Sequence, residues 1–270
     1  MIKVLGLVTC FNRKEKTVRA LKNLIQGNPT IDFSFIVADD ASTDGTVQAL
    51  ESFNMVTVLS GDGTLFYSGG MRLAIEKAKC VKEQFDYCLL FNDDVEFYDS
   101  AIEKLKEKEK NVIWVGPTCD EQGVLTYGGI VKTSVWRPKT EIIMGKNTSG
   151  KECDTFNANC VLIPWNIFIK LDNIDAIYTH SMGDFDYGFS AKKKGVKIKV
   201  SDEYVGVCPD NPVQVSWRNT KLSRRERFQR KESPKGLPGK EWFHYLNKNY
   251  NLLTAIIYSL IPYVRILIKK

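Results

Sequence analysis

Tyr87-Cys88-Leu89-Leu90-Phe91-Asn92-Asp93-Asp94-Val95 passes from apolar to amide and acid within one residue. That is the pattern of a buried strand delivering polar side chains at its carboxyl end. Side chains alternate along extended backbone, so Asn92 and Asp94 are expected on one side and Asp93 on the other. A hard divalent cation on a phosphorylated ligand takes one or two protein carboxylates and completes its shell from phosphate and water. Asp94, with Asn92 beside it, suits that role. Asn-Asp-Asp after a strand is equally an ordinary turn or helix cap, so this stretch alone leaves both readings open.

Working outward, three earlier apolar runs end the same way. Ile2 to Thr9 leads into Asn12-Arg13-Lys14 and a helical pattern through Val18, Leu21, Leu24 and Ile25 to Gly27. Phe33 to Ala38 ends in Asp39-Asp40, with a helix opening at Ser42-Thr43-Asp44. Met55 to Leu59 ends in Ser60-Gly61-Asp62-Gly63, and a helix is expected from about Gly69 to Lys82. Strands alternating with helices make a parallel sheet, and such sheets bind ligands outside the carboxyl ends of the strands. Four polar strand ends therefore converge on one crevice.

Downstream, a charged helix over Ala101 to Lys110 and a fifth strand, Val112 to Val115, lead to Gly116-Pro117. Turn-rich, antiparallel segments around Tyr127-Gly128-Gly129 extend to about Asp154. A strand over Cys160 to Ile163 and a helix over Pro164 to Leu171 follow, and Met182-Gly183-Asp184-Phe185-Asp186-Tyr187 opens a helix running to Lys194-Gly195. Asp184 and Asp186 fall in its first turn, where the helix dipole favours carboxylates. N-terminal capping explains one acid more naturally than two.

The 270 residues, 43% hydrophobic and 26% charged, are ordinary for a soluble globular chain able to bury a substantial core. Seven widely spaced cysteines without a Cys-x-x-Cys pattern argue for a reducing compartment and against a zinc site. The N-terminus reads as a first strand rather than a signal peptide, so a cytosolic protein is expected. No P-loop, Gly-x-Gly-x-x-Gly or Ser/His/Asp signature is present, and Gly61-Asp62-Gly63 with Gly69-Gly70 is only a weak phosphate-loop signal. The net charge of +6 is concentrated late, where Arg218, Lys221, Arg224, Arg225, Arg227, Arg230, Lys231 and Lys235 face only Glu226 and Glu232 as acids. That run lacks a nucleic-acid reader motif, so no nucleic-acid partner is expected.

The last stretch, Leu252 to Ile268, is apolar but short for a span, broken by Pro262 and carrying Arg265. On a helix, Leu253, Ile256, Ile257, Leu260, Ile261, Val264 and Ile268 share a face, with Thr254, Tyr258 and Arg265 opposite. Such a helix suits the membrane interface, where Lys269, Lys270 and the basic stretch upstream would meet anionic head groups. The alternative cover is the protein's own sheet or a second subunit, which would make a homodimer.

Four motifs occur in family order and spacing: Val8-Thr9-Cys10-Phe11-Asn12-Arg13, Asp39-Asp40-Ala41-Ser42-Thr43-Asp44-Gly45-Thr46, Asn92-Asp93-Asp94-Val95, and Gly183-Asp184-Phe185-Asp186-Tyr187-Gly188. Over residues 1 to about 220 the chain resembles glycosyltransferase family 2. Gly61 to Met71 and Ser233-Pro234-Lys235-Gly236-Leu237-Pro238 resemble the bacterial surface-polysaccharide and rhamnosyltransferase-like subgroup. The resemblance implies an α/β GT-A fold, a Rossmann-like mixed but mainly parallel sheet flanked by helices, here with a C-terminal amphipathic helical extension. It divides the chain into a glycosyltransferase domain, 1–220, and a membrane-associating segment, 221–270. Within the domain, 1–117 is the nucleotide-sugar half and 118–220 the acceptor and catalytic half.

By the same resemblance, the donor is a UDP- or dTDP-sugar and a glycan acceptor receives the sugar with inversion; the basic, amphipathic C-terminus suits an acceptor carried on a polyprenyl diphosphate at the cytosolic membrane face. Thr9 and Asn12 line the nucleotide pocket, Asp39 or Asp40 reads the pyrimidine, and Asp93 bonds the ribose. Asp94 holds manganese or magnesium, and Asp184 is the general base; from its position four residues before Asp184, His180 is a further candidate, either to orient the acceptor or to reach the metal. Gly61, Asp62, Gly70, Asn92 and Arg218 complete the donor side; Tyr67, Asp186 and Trp217 are assigned to the acceptor side. The chain departs from the family pattern at Gly183, where Glu is usual, at Ser190, where Arg is usual, and at Asn92, where many members carry Asp. Competing readings are a nucleotidyltransferase, which normally shows a Gly-rich basic loop absent from Val8 to Lys14, and a catalytically silent sugar-nucleotide-binding subunit, against which Asp94 and Asp184 both speak.

Overall fold

The computed structural model describes residues 1–106, 108–147, 149–209 and 216–268. The first half alternates strand and helix: β1 (Ile2–Cys10), α1 (Lys14–Gly27), β2 (Ile31–Asp39), α2 (Thr46–Leu50), β3 (Val56–Ser60), α3 (Phe66–Lys79) and β4 (Tyr87–Phe91). These four strands are parallel, in the order β4-β1-β2-β3. Alternation along β1 sorts its side chains onto two cores. Leu5 and Leu7 pack in the cluster of Met71, Ala74, Ile75 and Ala78 from α3, while Val4 and Val8 pack in that of Ala20, Leu21 and Leu24 from α1. Burial on both faces is why β1, β2 and β4 read as continuous apolar runs, while β3, at the sheet edge, is only partly covered.

The second half begins with β5 (Glu96–Phe97), α4 (Ala101–Lys106), β6 (Val112–Val115), β7 (Thr118–Cys119), β8 (Leu125–Tyr127), β9 (Gly129–Lys132), β10 (Thr140–Ile143), β11 (Lys151–Glu152) and β12 (Thr155–Phe156). It continues through β13 (Cys160–Pro164), α5 (Trp165–Phe168), α6 (Gly183–Lys193), β14 (Lys197–Val200) and β15 (Gly206–Val207). The main sheet has the order β11-β14-β6-β13-β4-β1-β2-β3. β13 lies antiparallel between β4 and β6, so its N-terminal end meets the carboxyl end of β4. The expected antiparallel region is present as β10-β9-β12 and the β7–β8 pair.

Three helix boundaries differ from expectation. α4 covers Ala101–Lys106, with 108–110 outside any helix, α5 is a single turn, and α3 starts at Phe66. Within it, a side chain at Gly70 would run into Thr9 Oγ1. The weak phosphate-loop signal is thus, at Gly70, a close approach of helix to strand.

α7 (Arg224–Glu232), α8 (Gly239–Asn249) and α9 (Leu252–Ile268) close the chain. Tyr245, Leu246 and Ala255 join the same buried cluster as α3 and α6. Ser223 and Glu226 form a capping box at the start of α7. The late basic run is only partly a surface: Lys231 is fully buried against Glu232 (2.7 Å) and the Tyr263 ring, and Arg227 Nε donates to the Trp217 carbonyl (3.1 Å). Two cations expected to face head groups are used inside the protein, and Lys269 and Lys270 lie outside the described residues. No helix among the described residues is long and apolar enough to cross a membrane.

Candidate active site

The carboxyl ends of β1, β2 and β4, the segment before β13, the start of α6 and the inner face of α9 enclose a cleft of about 1090 Å³. At the β4 end, Arg13 Nη1 donates to both Asp93 Oδ1 (2.8 Å) and Asp94 Oδ2 (3.1 Å), and Thr17 Oγ1 donates to Asp93 Oδ2 (3.0 Å). Burial raises the pKa of Asp93 despite the opposing charge of Arg13. Asp94 keeps about a third of its side chain exposed. Its Oδ1 faces Cys208 Sγ (3.7 Å), a thiol that burial, Asp94 nearby, pushes up to about 12, so it stays protonated. Asn92 Nδ2 donates to Asn159 Oδ1 (3.2 Å), and Asn159 Nδ2 reaches Cys208 Sγ (3.3 Å). Alternation holds to that extent: Asn92 and Asp94 share one chain of contacts through Asn159 and Cys208. Arg13 nevertheless spans the two carboxylates.

Across the cleft, Met182 in left-handed conformation turns the chain into α6. Asp184 Oδ2 accepts from Ala158 N–H (3.1 Å) and Oδ1 from Phe185 N–H (2.9 Å). Burial pushes the carboxyl up to about 6 in spite of those donors. Gly183 packs on Ser68, and any side chain there would strike Ser68 Oγ. That contact gives a steric reason for glycine where the family usually has Glu. Tyr67 Oη and Asn157 Oδ1 are buried without a partner among the described residues, and both residues line the cleft with Asp184.

Of the sequence-derived candidates, Thr9, Asp40, Tyr67, Asn92, Asp93, Asp94, His180, Asp184, Trp217 and Arg218 line this cleft. Arg218 stacks its guanidinium over the Trp217 ring (5.4 Å). Asn12, Asp39, Gly61, Asp62, Gly70 and Asp186 are absent from its lining. Asn12 Oδ1 accepts from Thr43 N–H (2.8 Å), and Asp39 Oδ2 from Ser42 N–H (2.9 Å). Asp62 closes an Asx turn on Thr64, and Gly61 donates its N–H to the Asp39 carbonyl (2.6 Å). Asp40, although at the cleft, spends its oxygens on the N–H groups of Gly63 (2.9 Å), Leu65 (3.2 Å) and Phe66 (2.9 Å). Asp186 is buried and bound by Lys248 Nζ (2.7 Å) and Asn249 Nδ2 (2.7 Å). Two residues along a helix turn it about 200°, so Asp186 leaves α6 on the side opposite Asp184.

His180 Nδ1 accepts from Tyr67 N–H (3.4 Å), and burial, with Lys235 and Arg13 nearby, lowers its pKa to about 4. The imidazole is neutral, and the ring nitrogen nearest the backbone, Nδ1, is taken up by the Tyr67 N–H. Among the described residues no three His, Cys, Asp or Glu side chains cluster as a metal cage. The donor set fits a cation that brings its own phosphate and water ligands to Asp94. Arg13, Lys235, Arg137, Lys139 and Arg265 also line the cleft, and the sequence reading assigned none of them to the site. Arg13 could have been found, since β1 and β4 are parallel neighbours ending at one edge.

A solved structure of the mannosyltransferase PcManGT from Pyrobaculum calidifontis, in complex with GDP-Man and Mn2+, is similar to this chain with a TM-score of 0.54 over 97% of this chain and 74% of that one. At 13% identity the likeness is one of fold. No curated protein matches the chain. The family model for glycosyl transferase family 2 matches residues 7–155, which carry Thr9, Asp40 and the Asn92-Asp93-Asp94 strand end. On that match, with the parallel sheet and cleft described above, the chain belongs to glycosyl transferase family 2.

Proposed function

We propose that this glycosyltransferase moves a sugar, with inversion, from a nucleotide diphosphate donor to the hydroxyl of a glycan acceptor. The observation that carries the reading is that Asp184, pushed up to about 6, shares one cleft with the acid end of β4. Inverting transfer is an in-line displacement at the anomeric carbon through an oxocarbenium-like transition state. The acceptor oxygen forms the new bond as the bond to the diphosphate breaks, and the hydroxyl proton passes to Asp184. A carboxylate with a pKa near 6 is a stronger base than an ordinary one and still ionised at neutral pH. The unpartnered Tyr67 Oη and Asn157 Oδ1 suit sugar hydroxyls and would orient the acceptor. Thr9, Asp93 and Arg218 would hold the nucleotide, while Asp39, Asp40 and Asn12 fix the loops around it. A divalent cation, when bound, would sit on Asp94 and supply Lewis-acid stabilisation at the leaving diphosphate. Arg13, bound to the same carboxylates, supplies a second positive charge at that end.

A bacterial surface glycan on a polyprenyl carrier, reached from the inner membrane face, fits the exposed apolar face of α9. Calorimetric titration with UDP, dTDP and GDP, each with manganese and with chelator, tests the donor site; GDP joins the set because PcManGT was solved with GDP-Man. Binding of one nucleotide that depends on metal, weakened at least about tenfold in Asp94→Ala, is expected. Binding indifferent to both chelator and Asp94 would overturn the metal assignment.

A further inference from the structure

The turn between β9 and β10 carries Val135 and Trp136, which are 71% and 67% exposed. Their exposure is shared with the outer face of α9, where Leu253, Ile256, Ile257 and Leu260 also face solvent. The two segments are distant in sequence but joined, because Thr254 Oγ1 donates to the Trp136 carbonyl (3.1 Å). An exposed apolar surface built from a tryptophan-bearing turn and an amphipathic helix suits the head-group boundary of a bilayer, where tryptophan is enriched. Directly after Trp136 the chain turns inward. Arg137, Pro138, Lys139 and Thr140 all line the cleft, and among the described residues neither cation is paired with a carboxylate. On α9 the inward stripe of Tyr258, Ile261, Pro262 and Arg265 continues the cleft wall. One edge of the cleft is therefore at once apolar outward and cationic inward.

We propose that this edge is a subsite for a phosphate-headed lipid: Trp136 and Val135, with the outer face of α9, enter the head-group boundary, and Arg137 and Lys139 bind the lipid's phosphate or diphosphate at the cleft mouth. The inference rests on the lipid-linked acceptor reading above and adds where its anionic head is held. Two cations with no carboxylate partner among the described residues, beside an apolar wedge, match a ligand that is anionic at its head and hydrocarbon beyond it. Planar, bidentate donation by Arg137 to phosphate oxygens adds direction to the charge of Lys139.

Flotation of the full chain with phosphatidylcholine vesicles, the same vesicles carrying a polyprenyl diphosphate, and charge-matched phosphatidylglycerol vesicles tests the subsite. The chain is expected to float best with the polyprenyl diphosphate. Trp136→Ser should lower flotation with all three, whereas the double variant Arg137→Gln, Lys139→Gln should lose only the increment due to the diphosphate lipid, by about tenfold. Free inorganic pyrophosphate should compete for that increment alone. Flotation of the double variant equal to wild type, or equal flotation with phosphatidylglycerol, would overturn the subsite. Absence of flotation with any vesicle would overturn the docking face, and metal-dependent nucleotide binding in solution would then show that the glycosyltransferase reading had survived it.

Discussion

Asp184 draws its chemistry from a conflict between burial and hydrogen bonding. The N–H groups of Ala158 and Phe185 favour its charged form, yet burial prevails and the group protonates near pH 6. A base must be ionised to accept a proton, so kcat/KM is expected to fall as pH drops through about 6 and to level off above it. Asp184→Asn should lower kcat by about 10²–10⁴, leave nucleotide binding by calorimetry near wild type, and erase the acidic limb. An Asn variant that kept the limb would assign it to another group. Asp186 lies two residues away and serves a different end. The pair Asp184 and Asp186 was legible in the sequence, and so was the helix that carries them. That only Asp184 faces the cleft follows from 100° per residue. The partners of Asp186, Lys248 and Asn249, stand more than sixty residues on and left no local trace.

At the scale of elements, the carboxyl ends of the strands act mostly as anchors for loops. Asp40 accepts from three backbone N–H groups between Gly63 and Phe66 and so sets where α3 begins. The sequence pattern placed that start at about Gly69, on the apolar face of Met71, Ala74, Ile75 and Ala78; the carboxylate that fixes the earlier start lies just past the end of a different strand and leaves no local trace. Asp40→Ala would leave those donors without their acceptor. A loss of about 2–4 kcal/mol is expected, read as a lower denaturation midpoint, with Asp40→Asn recovering part of it through its one remaining acceptor oxygen. Equal losses in both variants would place the contribution in the charge. α9 illustrates the opposite case: of the face read from periodicity, Leu253, Ile256, Ile257, Leu260, Val264 and Ile268 are exposed, while Ile261 at its margin is half-buried and lines the cleft. What periodicity could not tell is that Tyr258 and Arg265, on the other side, line the cleft.

Over the whole molecule, the parallel direction of the first-half strands follows from the alternation of strand and helix, whereas their order and the insertion of β13 between β4 and β6 depend on long-range pairing with no local signature. The same holds for the C-terminal helices, which sequence set apart as 221–270 and which pack Tyr245, Leu246 and Ala255 into the core shared with α3 and α6. Their polar tie is Lys248 to Asp186, a carboxylate 2% exposed at the start of the helix that also carries Asp184. Removing one member of such a pair strands the other, a loss of about 3 kcal/mol when the charge stays buried. Lys248→Met should therefore lower the denaturation midpoint sharply and reduce kcat, since α6 positions Asp184. Because the penalty lies in the unpaired carboxylate, adding Asp186→Asn to Lys248→Met should restore much of the lost stability, giving a coupling energy of about 1–3 kcal/mol in the double-mutant cycle. Additive losses would mean that Lys248 acts through its contact with Asp175 (3.2 Å) instead, and would detach the C-terminal helices from the geometry of the base.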